Sequence, residues 1–128
     1  MRRSFYVVAA ALVVLGCAGL DPRPQGSVVI YGRNEAPGIA WFGLAPADPI
    51  ENVGFGADIG VACLRGAAGT EIFSFDGTPG QGGRPQHPVG RVLGGAEPAV
   101  MWVDVAADGT VTSGVGIPLW WTGDPGGC

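Results

Sequence analysis

Chain-breaking residues constrain the fold of this chain more than any other property of its sequence. The 128 residues include 24 glycines and 11 prolines. After residue 26, no window of eleven residues lacks a glycine or proline while keeping the i, i+3, i+4 apolar spacing of a helix. Helix is therefore expected only near the amino terminus, where the apolar run Phe5–Leu15 is unbroken.

Short runs rich in β-branched and aromatic residues lie between the breakers and predict seven strands. The predicted strands are Ser27–Gly32, Ile39–Leu44, Ile59–Leu64, Glu71–Phe75, Val89–Leu93, Val100–Val105 and Thr110–Val115. This number of strands in one domain favours an all-β fold, a small antiparallel β-sandwich that is either immunoglobulin-like or an open barrel. The strand order is not determined by the sequence.

Local patterns give more detail on three of these segments. The turn at Asp108 and Gly109 predicts that the last two strands form a hairpin, with glycine taking the positive φ. Phe73 and Phe75 alternate with polar neighbours, which favours a strand with one face on the core and one in water. The segment Asp76–Pro88 has four glycines, three prolines and no aliphatic side chain, and we expect it to be a long mobile loop.

The first 17 residues have the order of an export signal, with two arginines, the apolar run and then Gly16-Cys17. This order resembles a bacterial lipobox. The resemblance implies that Cys17 is lipidated and becomes the first residue after cleavage, while Val14-Leu15 departs from the commonest pair at that place. The organisation that follows is a signal helix over 1–16, a lipidated cysteine and tether over 17–26, and a single β-domain over 27–128.

Two other interpretations of the amino terminus stay open. Gly16 and Ala18 also satisfy the rule for ordinary secretion with cleavage after Ala18, which would remove Cys17. An uncleaved anchor is the other, although Phe5–Leu20 is shorter than the about 20 apolar residues that span a membrane. A chain with two or three acyl groups on Cys17 would be held stably at a membrane surface.

The three cysteines fit an exported chain once Cys17 is assigned to lipid, because Cys63 and Cys128 then remain as a pair. Unpaired thiols tend to oxidise outside the cytoplasm, so we expect a Cys63–Cys128 disulfide. It would tie the chain terminus to a central strand.

The charge distribution disfavours a nucleic-acid partner. All eleven acidic residues follow Cys17, against five of the seven arginines, and there is no lysine. With the heavy use of glycine, alanine, proline and arginine, this looks like a high-G+C coding sequence, and the chain resembles small uncharacterised lipoproteins of high-G+C Gram-positive bacteria. That resemblance implies anchoring on the outer face of the cytoplasmic membrane and implies no activity.

Residues that could carry chemistry are sparse. His87 is the only histidine and lies in the predicted loop, so neither a metal site nor a Ser-His-Asp triad is expected, and no cofactor is expected. Asp104, Asp108 and Asp124 lack the spacing of a calcium loop. Any two of the eleven acids could form a hydrolytic pair, but nothing in the sequence selects them.

The four tryptophans are the remaining functional signal. Since adjacent strand residues point to opposite faces, one of Trp120 and Trp121 is expected in the core beside the disulfide and the other on the surface. Together they are the candidate binding surface, while core packing accounts for the tryptophans as a set. The sequence therefore favours a non-enzymatic, lipid-anchored β-domain outside the membrane, acting as a binding or envelope-associated structural module. The alternatives are a small secreted hydrolase with paired carboxylates and an adaptor or inhibitor.

Overall fold

A computed structural model describes residues 24–45, 51–95 and 98–128, and it is all-β over these ranges. The predicted signal helix, Cys17 and most of the predicted tether lie outside the described residues. The strands are β1 (Gln25–Asn34), β2 (Ala40–Ala45), β3 (Asn52–Phe55), β4 (Asp58–Ala67), β5 (Glu71–Phe75), β6 (Pro85–Arg91), β7 (Ala99–Val105) and β8 (Val111–Val115).

The strands form two four-stranded sheets packed face to face, so the predicted sandwich is confirmed. The first sheet has the order β4-β1-β7-β8 and the second the order β3-β2-β5-β6. All pairs are antiparallel except β1 with β7, which run parallel. The first strand therefore lies inside its sheet, between β4 and β7, and not at an edge.

The core lies between the sheets and follows the period-2 alternation of the strands. Its buried members are Val28, Ile30, Phe42, Leu44, Phe55, Leu64, Ile72, Val92, Met101, Val103 and Val105. Asn34 is buried among them at the end of β1, and its side-chain amide donates to the carbonyl oxygens of Gly38 and Phe55 at 3.0 and 2.9 Å. These bonds fix the turn between β1 and β2 and satisfy the buried polar group.

The expected hairpin of the last two strands is confirmed. The N–H of Ala106 donates to the carbonyl oxygen of Thr110 at 2.9 Å, and Gly109 has a φ of 89°. The Asp108 carboxylate accepts a hydrogen bond from the N–H of Thr110 at 2.9 Å. This bond lowers the pKa of Asp108 from its usual value.

One expectation for the middle of the chain is wrong, and one strand was not predicted. The strand β6 begins at Pro85 and the loop before it is closed by hydrogen bonds between Asp76 and Arg84, so 76–88 is not one long loop. Prolines are tolerated in β6 because it is an edge strand, where a missing N–H need not break the ladder. The short strand β3 was not predicted, because Gly54 interrupts its alternation.

The faces of β5 also differ from a simple interpretation of its sequence. Ile72 and Ser74 face the core, since they pair with Leu44 and Phe42 of β2. Phe73 and Phe75 lie on the outer face with Trp41. On the core side, the Ser74 hydroxyl donates a hydrogen bond to the carbonyl oxygen of His87, at 3.5 Å.

Candidate functional site

The residues after β8 form a segment, 116–128, which we call the tail, and which crosses the outer face of the first sheet. It starts at the N–H of Gly116, which donates to the carbonyl oxygen of Val100 on β7 at 2.9 Å. It ends at the disulfide between Cys128 and Cys63 of β4, with Cα atoms 5.4 Å apart. The predicted Cys63–Cys128 bond is thus present, and it fastens the far end of the tail to the opposite edge of the sheet.

Side chains of the first sheet hold the tail at its centre. The rings of Tyr31 and Trp121 meet edge to face with centroids 4.9 Å apart. The Tyr31 hydroxyl accepts a hydrogen bond from the N–H of Gly126 at 2.8 Å. As a result Tyr31 and Val29 are only 1% exposed although they point away from the core between the sheets.

Gly126 is required by this close approach. A Cβ atom at this position would lie 2.4 Å from Cγ2 of Val61, nearer than real contacts allow. The tail therefore lies directly on β4 before it reaches the disulfide.

An ion pair on the first sheet lies beneath Trp120 of the tail. The Arg33 guanidinium binds the Asp104 carboxylate in bidentate fashion, with its Nε 3.1 Å from Oδ1, and lies 5.0 Å from the ring centroid of Trp120. The hydrogen bond with Asp104 raises the pKa of Arg33, and the charged guanidinium lies beneath the Trp120 indole. Glu35 is a weaker partner, 3.7 Å from the Arg33 Nε.

The structure corrects the expectation for Trp120 and Trp121. They lie in a turn closed by the N–H of Trp121 and the carbonyl oxygen of Pro118 at 3.1 Å, so strand alternation does not apply. Both are half-buried on the outer face of the first sheet, and neither enters the core between the sheets. The other two tryptophans, Trp41 and Trp102, are also half-buried on outer faces, so core packing does not account for the set.

The turn raises a set of apolar side chains above the sheet. We call this set the ridge, and it consists of Ile117, Leu119, Trp120 and Trp121. Leu119 is fully exposed and Ile117 is half exposed, while Pro118 between them is buried. Sequence reasoning found the tryptophans but missed Leu119, whose only signal was its place in the apolar run before them.

The acids of the described residues mostly have structural partners. Asp104 pairs with Arg33 as above, Glu71 pairs with Arg91 at 2.8 Å, and Asp108 caps its hairpin. Asp58 has a φ of 123° and accepts a hydrogen bond from the N–H of Ile59. No group of three or more His, Cys, Asp or Glu within the described ranges could hold a metal ion.

Three clefts of the described part bear on the hydrolase alternative. One is lined by the β1–β2 turn and Asp76 and one by the β3–β4 turn and Asp58. The third is lined mostly by apolar residues of β1, β6, β7 and β8, together with Arg91. Each holds at most one carboxylate, so none offers the pair that glycoside hydrolysis needs. His87 is exposed on β6 and lines none of the three.

In the part of the chain that the structure describes, no helix is long and apolar enough to cross a membrane. The chain matches no protein-family model, no curated protein and no solved structure.

Proposed function

We propose that this chain is an exported β-sandwich, anchored at the outer face of the cytoplasmic membrane through lipidated Cys17, that works as a binding module through the ridge. The observation that carries the binding role is the full exposure of Leu119 beside Trp120 and Trp121, whose rings are held against the sheet. Apolar side chains in a rigid surface lose little conformational entropy when a partner covers them.

Export is supported by two independent properties of the chain. The first is the arrangement of arginines, apolar run and Gly16-Cys17 at the amino terminus. The second is the Cys63–Cys128 disulfide, since structural disulfides persist in oxidising compartments and are rare in the cytoplasm. A net acidic surface is consistent with a protein or glycan partner and not with nucleic acid.

The anchor is tested in the native cell with an inhibitor of signal peptidase II. We expect the precursor to accumulate and the mature, membrane-bound form to decline. The Cys17→Ala variant should no longer respond to the inhibitor. Unchanged processing of the native chain would contradict lipidation.

The ridge is tested by placing a photo-crosslinking amino acid at Leu119 and, as a matched control, at Thr112, which is exposed on the outer face of β8. Irradiation of intact cells should give a discrete adduct from position 119 and none from position 112. No adduct at 119, or the same adduct at both positions, would contradict a binding role for the ridge.

A further inference from the structure

Each sheet has two edge strands, and three of the four carry features that oppose pairing with another chain. The strand β6 contains Pro85 and Pro88, and its pairing with β5 is irregular. The strand β4 carries the exposed Arg65 and is joined to the tail by the disulfide. The strand β3 has only four residues. Prolines, irregular pairing, charges and short length are the ways in which natural proteins protect edge strands.

The fourth edge strand, β8, lacks such protection. Its five residues include no proline and no charged side chain, and its register with β7 is regular. The chain leaves the strand at Gly116, whose N–H donates to the carbonyl oxygen of Val100 on β7, and the tail then crosses the outer face of the sheet. No strand of the described ranges pairs with the free side of β8. This side is therefore open to a further strand.

The backbone groups of β8 alternate between β7 and the free side. Thr110 and Gly116 form hydrogen bonds with residues at the two ends of β7, so the even-numbered residues direct their N–H and C=O groups to β7. The odd-numbered residues, Val111, Ser113 and Val115, therefore direct theirs to the free side. These three residues are evenly spaced, with Ser113 at the centre.

A second copy of β8 matches this arrangement when it runs antiparallel. With Ser113 opposite Ser113 of the second copy, Val111 of each copy lies opposite Val115 of the other, so every outward-directed residue meets another. Each opposed pair of this kind exchanges two hydrogen bonds. A shift by one residue would lose these bonds, and a shift by two would leave one valine of each copy unmatched. The strand is therefore complementary to itself in one register.

The side chains of such a pair are also compatible. Val115 points to the inner face of its sheet, since it pairs with the core residue Met101, yet it is 93% exposed. Val111 of a second copy would lie directly opposite, and apolar cross-strand neighbours stabilise a sheet. The chain has eleven acidic residues and a net charge of -4, so two copies repel, but this pairing opposes no charged side chains. Charge and apolar matching thus favour a second copy at this edge.

We infer that two copies of this chain pair through their β8 strands, about a two-fold axis at Ser113, and so join their four-stranded sheets into one continuous sheet. One strand from each copy is a small interface, so the dimer should be reversible. Directly opposed residues point to the same face, so the outer faces of both copies, and the two ridges, lie on one side. The presentation of two ridges to a partner rests on the proposed function, whereas the pairing does not.

Charge substitutions at the axis test the pairing in the full chain, purified in detergent. Sedimentation velocity of the native chain should show an increase with concentration to twice the mass of one copy. Ser113→Glu and Ser113→Lys each place like charges opposite one another and should raise the dissociation constant at least about tenfold. An equimolar mixture of the two variants should regain the native value, since opposite charges then meet. Ser113→Thr, which adds bulk without charge, is the matched control.

Disulfide trapping locates the axis. In a hydrogen-bonded antiparallel pair the two Cα atoms are about 5.5 Å apart, within the range that a disulfide spans. Mild oxidation of Ser113→Cys should therefore join two copies of the chain. Ala57→Cys, exposed on the β3–β4 turn at the opposite edge of the sheets, is the matched control and should join none. Circular dichroism checks that the sandwich is intact in every variant, which the exposure of Ser113 and Ala57 favours.

A native chain that stays a monomer up to its solubility limit, or a dimer that Ser113→Glu leaves unchanged, would overturn the inference. Equal trapping from positions 113 and 57, or trapping of position 113 with a different protein alone, would do so as well. Because Thr112 lies beside the axis, the two positions of the ridge test are compared in the Ser113→Glu chain, which does not pair. An adduct from Leu119 in that chain supports the ridge whether or not the native chain forms a dimer.

Discussion

The outer faces of the two sheets are built from the same kinds of residue but end in different environments. Each carries a tryptophan that lies over a glycine of the neighbouring strand, Trp102 over Gly114 on the first sheet and Trp41 over Gly54 on the second. The tail crosses the first face and leaves Tyr31 1% exposed. None of the described segments crosses the second face in the same way; Phe73 there is half-buried, although Phe75 on the same face is 8% exposed.

This difference shows that burial in a small sandwich need not mean membership of the core between the sheets. Tyr31 and Val29 are as buried as any core side chain, yet they belong to a second layer formed by one strand and the tail. That layer is held by the contacts of Tyr31 with Trp121 and Gly126 and by one covalent bond, the disulfide. We call the outer face of the first sheet the covered face and that of the second sheet the bare face. Removing the disulfide should therefore destabilise the covered face more than the bare face.

The largest effect is expected from removing the disulfide with Cys63→Ser and Cys128→Ser together. Opening a loop with a sequence separation of 65 should lower the free energy of unfolding by roughly 2–4 kcal/mol. Denaturant unfolding measures the loss, and hydrogen exchange should show faster exchange of the Gly126 amide. The native chain under reducing conditions is the control. A tail that stays protected without the disulfide would mean that its noncovalent contacts suffice.

Adding a methyl group beneath each tryptophan compares the two faces directly. At Gly114 the new Cβ would lie 2.5 Å from Nε1 of Trp102, so Gly114→Ala should cost about 1–3 kcal/mol through overpacking. At Gly54 it would lie 2.8 Å from Cγ2 of Ile39 and 3.0 Å from Cζ3 of Trp41, and because Ile39 is 57% exposed and can move aside, Gly54→Ala should cost less. Thermal unfolding of both variants measures the two losses of stability. Equal costs would contradict the greater constraint of the covered face.

A smaller effect is expected for the ion pair under the tail. Arg33→Lys keeps the charge but loses the planar bidentate contact with Asp104 and the stacking beneath Trp120, and should lower the free energy of unfolding by less than either change above. A double-mutant cycle with Asp104→Asn measures the coupling. Arg91→Lys, whose partner Glu71 lies on the second sheet, is the control and should be near neutral. No coupling between Arg33 and Asp104 would mean that solvent already screens the pair.

The smallest effect concerns acid titration at the β7–β8 hairpin. Because the pKa of Asp108 is lowered in the folded chain, its stabilising contribution is present above the usual aspartate pKa and disappears as the pH falls through the lower folded value. Asp108→Asn keeps the acceptor for Thr110 and should remove this part of the pH dependence. Carboxyl carbon shifts in NMR measure the pKa. It should be unchanged when the disulfide is removed, since Asp108 lies outside the tail contacts.

Most strands and the hairpin follow from local rules, because β-branched runs, turn glycines and the absence of helical spacing act within a few residues. The disulfide also follows, once Cys17 is set aside, because only two cysteines remain. The start of β6 was misjudged, because the predicted strand began at Val89, whereas the pairing with β5 begins at Pro85 despite prolines that composition alone counts as loop. The path of the tail was not predictable, because contacts such as Tyr31 with Gly126 join residues 95 apart.

The sequence by itself determined that this chain is β-structured, that its cysteines pair, and which export signal it resembles, since each depends on residue type and short spacing. Only the tertiary structure decided which aromatic side chains are buried, where the tail lies and where the sandwich stays open. The reason is that strands alternate between two faces, and the identity of the inner face depends on pairing partners that the chain brings together over long distances.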